Sequence, residues 1–349
     1  MSAEGAASAA HRFERLFKET SMKNKRALLC AFAAAGFLAS IPTALMAQGA
    51  YPSKPIRAIV PFSPGGGTDT LARMVFKELS ENLGRPIVID NKPGAGGAIG
   101  WAEVARAPAD GYTIGLGAST LPPLGEMYDS LPFDPKTAFE FVAPLATVPN
   151  VLVASAALPI NNLADLRAYG RKTGPLAYGT PGVGTPQHLA GALFARTAGL
   201  ELRHVPYRGT SNAMTDVLGD HIPLAFVGLP LALQYASGNR IKLLGVATSK
   251  RSVLAPDVPT LAEGGLQGYE SNYWWDIIAP KGTPPAVLQK LYDATEAVLK
   301  RASTQKTLHD AGYEEMLMPR KDYLELLRQE DRKLTQIIRD NNIKLQGSK

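Results

Sequence analysis

The chain has 349 residues, 45% of them hydrophobic, and a formal net charge of +6, which is ordinary for a globular protein and long enough for two domains. Residues 1–47 carry six basic and three acidic side chains, half of that excess, and no basic stripe interleaves with aromatics, so nucleic acid and other polyanions are unsupported as partners. Cys30 is the only cysteine, so the chain beyond it has no thiol, disulfide or cysteine metal ligand.

Met22-Lys23-Asn24-Lys25-Arg26 followed by the apolar run 27–40 reads as a secretory signal peptide, with small residues offering cleavage after Ala47 or Gly49. Met22 is the expected start, since residues 1–21 show no such pattern. Cys30 lies within the apolar run, preceded by Leu29, which is the wrong setting for lipid attachment. No later stretch approaches 18 apolar residues. The expected product is a soluble, non-lipidated protein outside the cytoplasm.

The β-branched run Ile56 to Val60 predicts a buried strand, and Leu71, Met74, Val75, Leu79 and Leu83 repeat at helical spacing. Between them Pro61-Phe62-Ser63-Pro64-Gly65-Gly66-Gly67-Thr68-Asp69 is a strand-to-helix turn, with Thr68 or Asp69 as the expected N-cap. Without Cβ atoms the turn lets backbone N–H groups approach a ligand, and the helix start adds unpaired donors and a positive dipole end, which together seat an anion. Gly-rich turns of this kind also occur with nothing bound.

Gly84 closes that helix, Ile87 to Ile89 is the next strand, and 91–100 is another Gly-rich segment leading into a helix around Trp101. Tyr112 to Gly117 is a strand whose end carries Ser119 and Thr120, where parallel sheets place ligands. The apolar stretch 141–153, broken by Pro144 and Pro149, suits a strand that leaves one lobe for the next. After a short strand at Leu176 to Tyr178, Thr180-Pro181-Gly182-Val183-Gly184-Thr185 repeats the Pro-Gly-x-Gly-Thr pattern of 64–68, before a helix with Leu189, Leu193 and Phe194 that closes at Gly199. Two equivalent turns would grip an anion from both sides of one cleft. Gly66 and Gly182 are the positions where a β-branched residue should be least tolerated.

His204 to Tyr207 runs into another helix start at Gly209-Thr210, and Ile222 to Val227 and Lys242 to Ala247 are further strands. The return crossover is expected at Tyr273 to Ala279. Thr283 and Pro284 are the expected N-cap and N1 of a helix carrying Leu288, Leu291 and Val298, and a last helix shows Leu324, Leu327, Leu334 and Ile338. Alternating strands and helices argue α/β. The expected organisation is residues 51–148 with 276–349 as lobe 1 and 149–275 as lobe 2.

No GxGxxG, P-loop, HExxH or EF-hand pattern is present, so no cofactor or metal is expected. Gly117-Ala118-Ser119-Thr120-Leu121 lacks the second glycine of a nucleophile elbow, leaving hydrolysis a distant alternative. His188 near the second helix start either touches a ligand or packs and caps.

The segments Pro61-Phe62-Ser63-Pro64-Gly65-Gly66, Asn91-Lys92-Pro93-Gly94-Ala95-Gly96-Gly97, Asp110-Gly111-Tyr112-Thr113, Pro206-Tyr207-Arg208-Gly209, Pro256-Asp257-Val258-Pro259-Thr260 and Ala279-Pro280-Lys281-Gly282-Thr283-Pro284 resemble the Bug family in matching order over nearly all of the mature chain. These are periplasmic receptors of tripartite tricarboxylate transporters. The resemblance implies a two-lobed, type II clamshell fold with two crossover strands, no catalytic role, and a small carboxylate held largely by backbone donors. It implies permease subunits in the membrane as partners and a monomeric receptor. By position the contact loops are Phe62, Ser63, Gly65, Gly66, Gly67, Thr68 and Asp69, then Thr180, Gly182, Val183, Gly184, Thr185 and His188, with Ser119, Thr120, Pro206, Tyr207 and Gly209 behind them. A sensor presenting the same ligand to a membrane histidine kinase would share the fold. Two departures from the family pattern stand out. Ala98 replaces a frequent polar residue, and Trp274-Trp275-Asp276 lacks a usual glycine; Asp276 either faces the cleft, where it would repel a second carboxylate or meet a ligand amine, or lies at solvent or as a hinge contact, the preferred reading.

Overall fold

A computed structural model describes residues 51–271 and 273–345. The expected signal peptide, Cys30 and the choice of start residue lie outside the described residues.

The chain forms β1 (Ile56–Val60), α1 (Gly67–Leu83), β2 (Ile87–Asn91), a 3-10 turn at Ala95–Gly97, α2 (Ala98–Arg106), β3 (Thr113–Ala118), α3 (Leu124–Met127) and β4 (Phe139–Thr147). It continues with β5 (Asn150–Ser155), α4 (Leu163–Thr173), β6 (Leu176–Thr180), α5 (Pro186–Ala198), β7 (Leu202–Pro206), α6 (Thr210–Leu218), β8 (Leu224–Gly228), α7 (Leu229–Ala236) and β9 (Ile241–Val246). The last elements are β10 (Trp274–Pro280), α8 (Pro285–Leu299), α9 (Ala302–Asp310), β11 (Glu314–Glu315) and α10 (Arg320–Asp340).

These strands build two sheets, ordered β11-β4-β10-β3-β1-β2 and β7-β6-β8-β5-β9. β1 pairs parallel with β2 and β3, and β10 inserts antiparallel between β3 and β4. In the second sheet β6 pairs parallel with β7 and β8, while β5 runs antiparallel to β8 and β9. The helical stripes face these sheets: Leu71, Val75 and Leu79 of α1, Leu288, Leu291 and Val298 of α8, and Leu327, Leu334 and Ile338 of α10 are buried.

The apolar stretch 141–153 is two strands rather than one. β4 ends at Thr147 in the first sheet and β5 starts at Asn150 in the second, because Pro149 has no N–H to continue a ladder. Pro144 stays inside β4 through a register shift that leaves Leu145 unpaired against β10, between Ala146↔Trp275 and Pro144↔Asp276. The outgoing and returning strands are tied where they cross: Val148 N and Thr147 Oγ1 both donate to Tyr273 O, at 3.1 and 2.7 Å. Asn150, fully buried, donates to Ser271 O (3.4 Å) and accepts from Gln187 Nε2 (3.1 Å).

Two helix starts differ from expectation. The first helix begins at Gly67 with Gly66 as N-cap, not at Thr68 or Asp69, because the Asp69 side chain folds back on the turn instead of capping. The helix after β10 has Pro284 as N-cap and Pro285 at N1, since Thr283 Oγ1 donates backwards to Pro280 O (2.8 Å).

Candidate functional site

The first turn is held from inside. Asp69, 2% exposed, accepts from Gly65 N (2.9 Å) and Arg73 Nε (2.8 Å) on Oδ2 and from Asn91 Nδ2 (2.9 Å) on Oδ1. The same Asn91 amide donates to Phe62 O (3.0 Å). Burial pushes the Asp69 carboxyl up, but the Arg73, Gly65 and Asn91 hydrogen bonds outweigh it and hold the group at about 2. Asp69 is therefore a positioning residue of the turn. Gly65 sits at φ +79, where side chains are disfavoured, whereas Gly66 sits at φ −78 with only Ser63 O, at 3.6 Å, near an added Cβ. Backbone strain therefore gives no reason for glycine at 66, where only the space for a ligand remains as one; Gly182, at φ +148, does have a positive φ.

Ser63 to Gly67 are exposed. The N–H groups of Gly66, Gly67, Thr68 and Asp69 have no acceptor among the described residues, as the first turn of a helix leaves them. Behind this face stands an aromatic group from the far end of the chain. Tyr313 OH donates to Gly67 O (2.7 Å), Trp275 Nε1 donates to Thr68 Oγ1 (3.1 Å), and the Trp275 ring packs on Tyr273 and Tyr313 at centroid distances of 4.3 and 5.7 Å. Phe62 meets Trp101 edge to face at 6.2 Å.

At the end of β3, Ser119 donates its N–H to Trp274 O (3.1 Å). Its hydroxyl, on a residue 2% exposed, has no partner among the described residues. Thr120 follows at 9% exposure.

The second turn is braced by a histidine pair. Thr185 is the N-cap of α5, its Oγ1 accepting from His188 N (3.3 Å) and donating to Gly182 O (2.8 Å). Gly184 N donates to His188 Nδ1 (3.1 Å), so the proton of that neutral imidazole sits on Nε2. His188 stacks on His204 at 3.7 Å, and His204 Nε2 meets Thr180 Oγ1 at 2.6 Å. Burial, with His204 alongside, pulls His188 down to about 3, and burial pulls His204 down to about 4. His188 thus packs and caps the turn. Gly182 N is also engaged, by Thr180 Oγ1 (3.3 Å), leaving the N–H groups of Val183, Thr185 and Gln187 without an acceptor among the described residues.

Pro206, Tyr207 and Gly209 lie against this turn: Tyr207 N donates to Thr180 O (2.9 Å), and Tyr207 O is 3.6 Å from where a Cβ on Gly182 would sit. The Tyr207 hydroxyl points into its own lobe and donates to Asp216 Oδ2 (2.6 Å).

Asp276 is neither at solvent nor at the crossing. It is 1% exposed and lies under β10, with Oδ2 accepting from Tyr323 OH of α10 (2.6 Å) and Oδ1 unpartnered among the described residues. The glycine opposite makes room for it: a Cβ on Gly117 would lie 2.3 Å from Asp276 Oδ1. The Ala98 position, at the start of α2, is buried.

Sequence reasoning missed Asn91 as a clamp, the Tyr273–Trp275–Tyr313 group, and Met127 and Leu345, which border Gly184. Asn91 had a signal, being a polar residue at the end of β2 in register with Val60. The others come from remote stretches with no local mark. Among the described residues no cluster of His, Cys, Asp and Glu could hold a metal, and no helix is long and apolar enough to cross a membrane.

Two α/β sheets joined by two crossing strands, with a glycine turn opening into a helix start on each, define a two-lobed solute-binding protein of the periplasmic type. Comparison with known proteins specifies which. The model of the tripartite tricarboxylate transporter family receptor (TctC) matches residues 71–343, and the chain belongs to this family, that of the Bug receptors. It is similar to a UPF0065 protein of Bordetella pertussis, 38% identical over 266 residues that make up 76% of this chain and 82% of that one. Protein BugT of B. pertussis is 35% identical over 242 residues, 68% of this chain and 74% of its own. Among solved structures, the periplasmic binding protein BugD superposes with a TM-score of 0.70 at 31% identity, covering 85% of this chain and all of that one. An R. palustris protein solved with adipate gives 0.73 at 33% identity over 84% and 99% of the two chains. MatC of Rhodopseudomonas palustris, solved with malate, gives 0.68 at 28% identity over 82% and 100%.

Proposed function

We propose that this receptor captures a small carboxylate between its two glycine turns and delivers it to the membrane permease subunits of a tripartite tricarboxylate-type transporter. The observation that carries this reading is the matched set of free backbone donors: Gly66, Gly67 and Thr68 at the start of α1, and Val183, Thr185 and Gln187 at the start of α5. Both helix starts also offer positive partial charge, and the one acidic side chain in either turn, Asp69, is engaged with Arg73 and Asn91. The unpartnered Ser119 hydroxyl, at the end of β3, is a further candidate donor. Adipate and malate in two structural neighbours support the same ligand class.

Residues 51–148 with 276–349 act as one lobe and 149–275 as the other, closing about the crossing at Val148 and Tyr273. The receptor performs no chemistry on its ligand, works as an exported monomer, and loses its leader near Ala47; N-terminal sequencing of the exported product tests the last point, and a product beginning at Met1 would sink it. The ligand class is tested by calorimetry and thermal shift across mono-, di- and tricarboxylates, sugars and cationic amines. Ligand at a hundredfold over its Kd adds about 2.7 kcal/mol, readable as a rise of several degrees in Tm. Stabilisation by sugars or amines with every carboxylate inert overturns the reading.

A further inference from the structure

One flank of the second turn is apolar, and it is built from lobe 1. A Cβ placed on Gly184 would lie 3.0 Å from Met127 Sδ and 3.2 Å from both Leu345 methyl carbons, and one on Gly96 would lie 3.6 Å from Leu345 Cδ1. Leu345 therefore fills the seam between a glycine of each lobe. It is held there firmly: Leu345 N donates to Met127 O (2.8 Å), and Ile343 just before it is buried. The positive charges of this region are drawn away from the seam. Arg339 makes paired hydrogen bonds to the Glu126 carboxylate (2.9 and 2.8 Å), and Lys344 Nζ donates to Glu126 O (3.1 Å). What remains beside the free amides of Val183 and Thr185 is a thioether, an isobutyl group and the exposed Val183 side chain, with the Tyr128 hydroxyl beside Gly96, 3.5 Å from where a Cβ there would sit.

We propose that Met127 and Leu345 are specificity-determining residues that select a carboxylate with an apolar body over hydroxylated acids of the same length and charge. The inference rests on the carboxylate reading above and narrows it. A carboxylate seated on the Val183 and Thr185 amides brings its next carbons against Met127 and Leu345. A methylene against Met127 and Leu345 sheds water favourably, whereas a hydroxyl against them loses its hydration and gains no hydrogen bond from either side chain.

The test uses two length-matched pairs, hexanoate against gluconate and adipate against galactarate, with Kd measured by calorimetry on the mature protein and on Leu345→Asn and Met127→Gln. The wild type is expected to bind the alkyl member of each pair at least about tenfold tighter, and each variant to narrow that ratio by about threefold or more. Gluconate and galactarate binding as tightly as their alkyl partners overturns the inference while leaving the carboxylate reading intact. So does an unchanged ratio in both folded variants. If a variant fails to fold, the wild-type ratio decides. If none of the four acids binds, this inference falls, and the carboxylate reading is decided separately by the wider panel of mono-, di- and tricarboxylates.

Discussion

The Tyr313 hydroxyl donates to the carbonyl of Gly67 across 246 positions of sequence, at 2.7 Å. It fixes the first helical residue of the candidate anion seat from a loop that belongs to the last fifth of the chain. Removing that hydroxyl leaves a carbonyl to water and little else changed, so Tyr313→Phe should cost about 1 kcal/mol, a fall in Tm of about 3 °C for a protein of this size. Carboxylate affinity should drop as the turn loosens. Calorimetry showing unaltered affinity alongside the expected Tm would mean that the turn is rigid without this tie.

Gly66→Ala separates folding from binding. The backbone there is ordinary and the added Cβ meets only Ser63 O at 3.6 Å, so Tm should hold within about 2 °C. The methyl would nonetheless stand among the free amides, and affinity should fall about tenfold or more. Gly184→Ala, at φ +73 with Met127 and Leu345 in the way, should cost both stability and binding. A Gly66→Ala protein that binds normally removes the first turn as the seat.

Asp69→Asn tests the clamp. The amide replaces a carboxylate that accepts from Gly65, Arg73 and Asn91, and it turns an NH2 towards at least one of those donors. Charge-assisted bonds of this kind are worth about 2 kcal/mol, so destabilisation of that order is expected by urea titration, together with weaker ligand binding. Because the folded-state value lies below the unfolded one, the stabilisation is present above about pH 4 and is lost as pH falls towards 2. A variant as stable as wild type at pH 7 would show that the clamp contributes nothing.

Asp276 should give the opposite pH signature. Burial raises its carboxyl to about 7, with the Tyr323 hydroxyl opposing, and no Lys, Arg or His pairs with it among the described residues. A raised carboxyl binds its proton more tightly when folded, so stability is greatest below about pH 4 and falls as pH rises towards 7, by an amount on the order of 4 kcal/mol. The buried pair His188 and His204 acts the other way, since their lowered values make the protein lose stability as pH drops below about 6.5. Asp276→Asn isolates the carboxyl: relative to wild type it should gain stability from about pH 4 to about pH 7 in urea titrations and level off above that. A difference that does not change with pH would refute the buried-acid account.

The legible parts of this molecule were those written in neighbouring residues. The strand at Ile56, the helix stripe of Leu71, Val75 and Leu79, and the repeat of Pro64 to Thr68 at Pro181 to Thr185 each declare themselves within ten residues. Pro149 likewise marks the outgoing crossing. The supports of the turns were not legible, because Trp275, Tyr313 and Leu345 reach them only after the chain has made the second sheet and returned. Asp276 misled for a related reason. A carboxylate in an apolar strand reads as a surface or site residue, and only Tyr323 above it and the missing side chain of Gly117 below it explain its burial.

The position of β10 also bears on the order in which the protein can assemble. This strand sits in the middle of the first sheet, between β4 and β3, yet it follows the whole of the second sheet in sequence. The second sheet is contiguous from β5 to β9 and can complete itself while the first still lacks its central strand, since loop closure favours the nearer partners. For an exported chain this arrangement would be useful: the first sheet stays unfinished, and so threadable, until nearly all of the chain has been made. Pulse-labelled hydrogen exchange during refolding should find the amides of β6 and β8 protected before those of β1 and β3, and the reverse order would exclude such a delay.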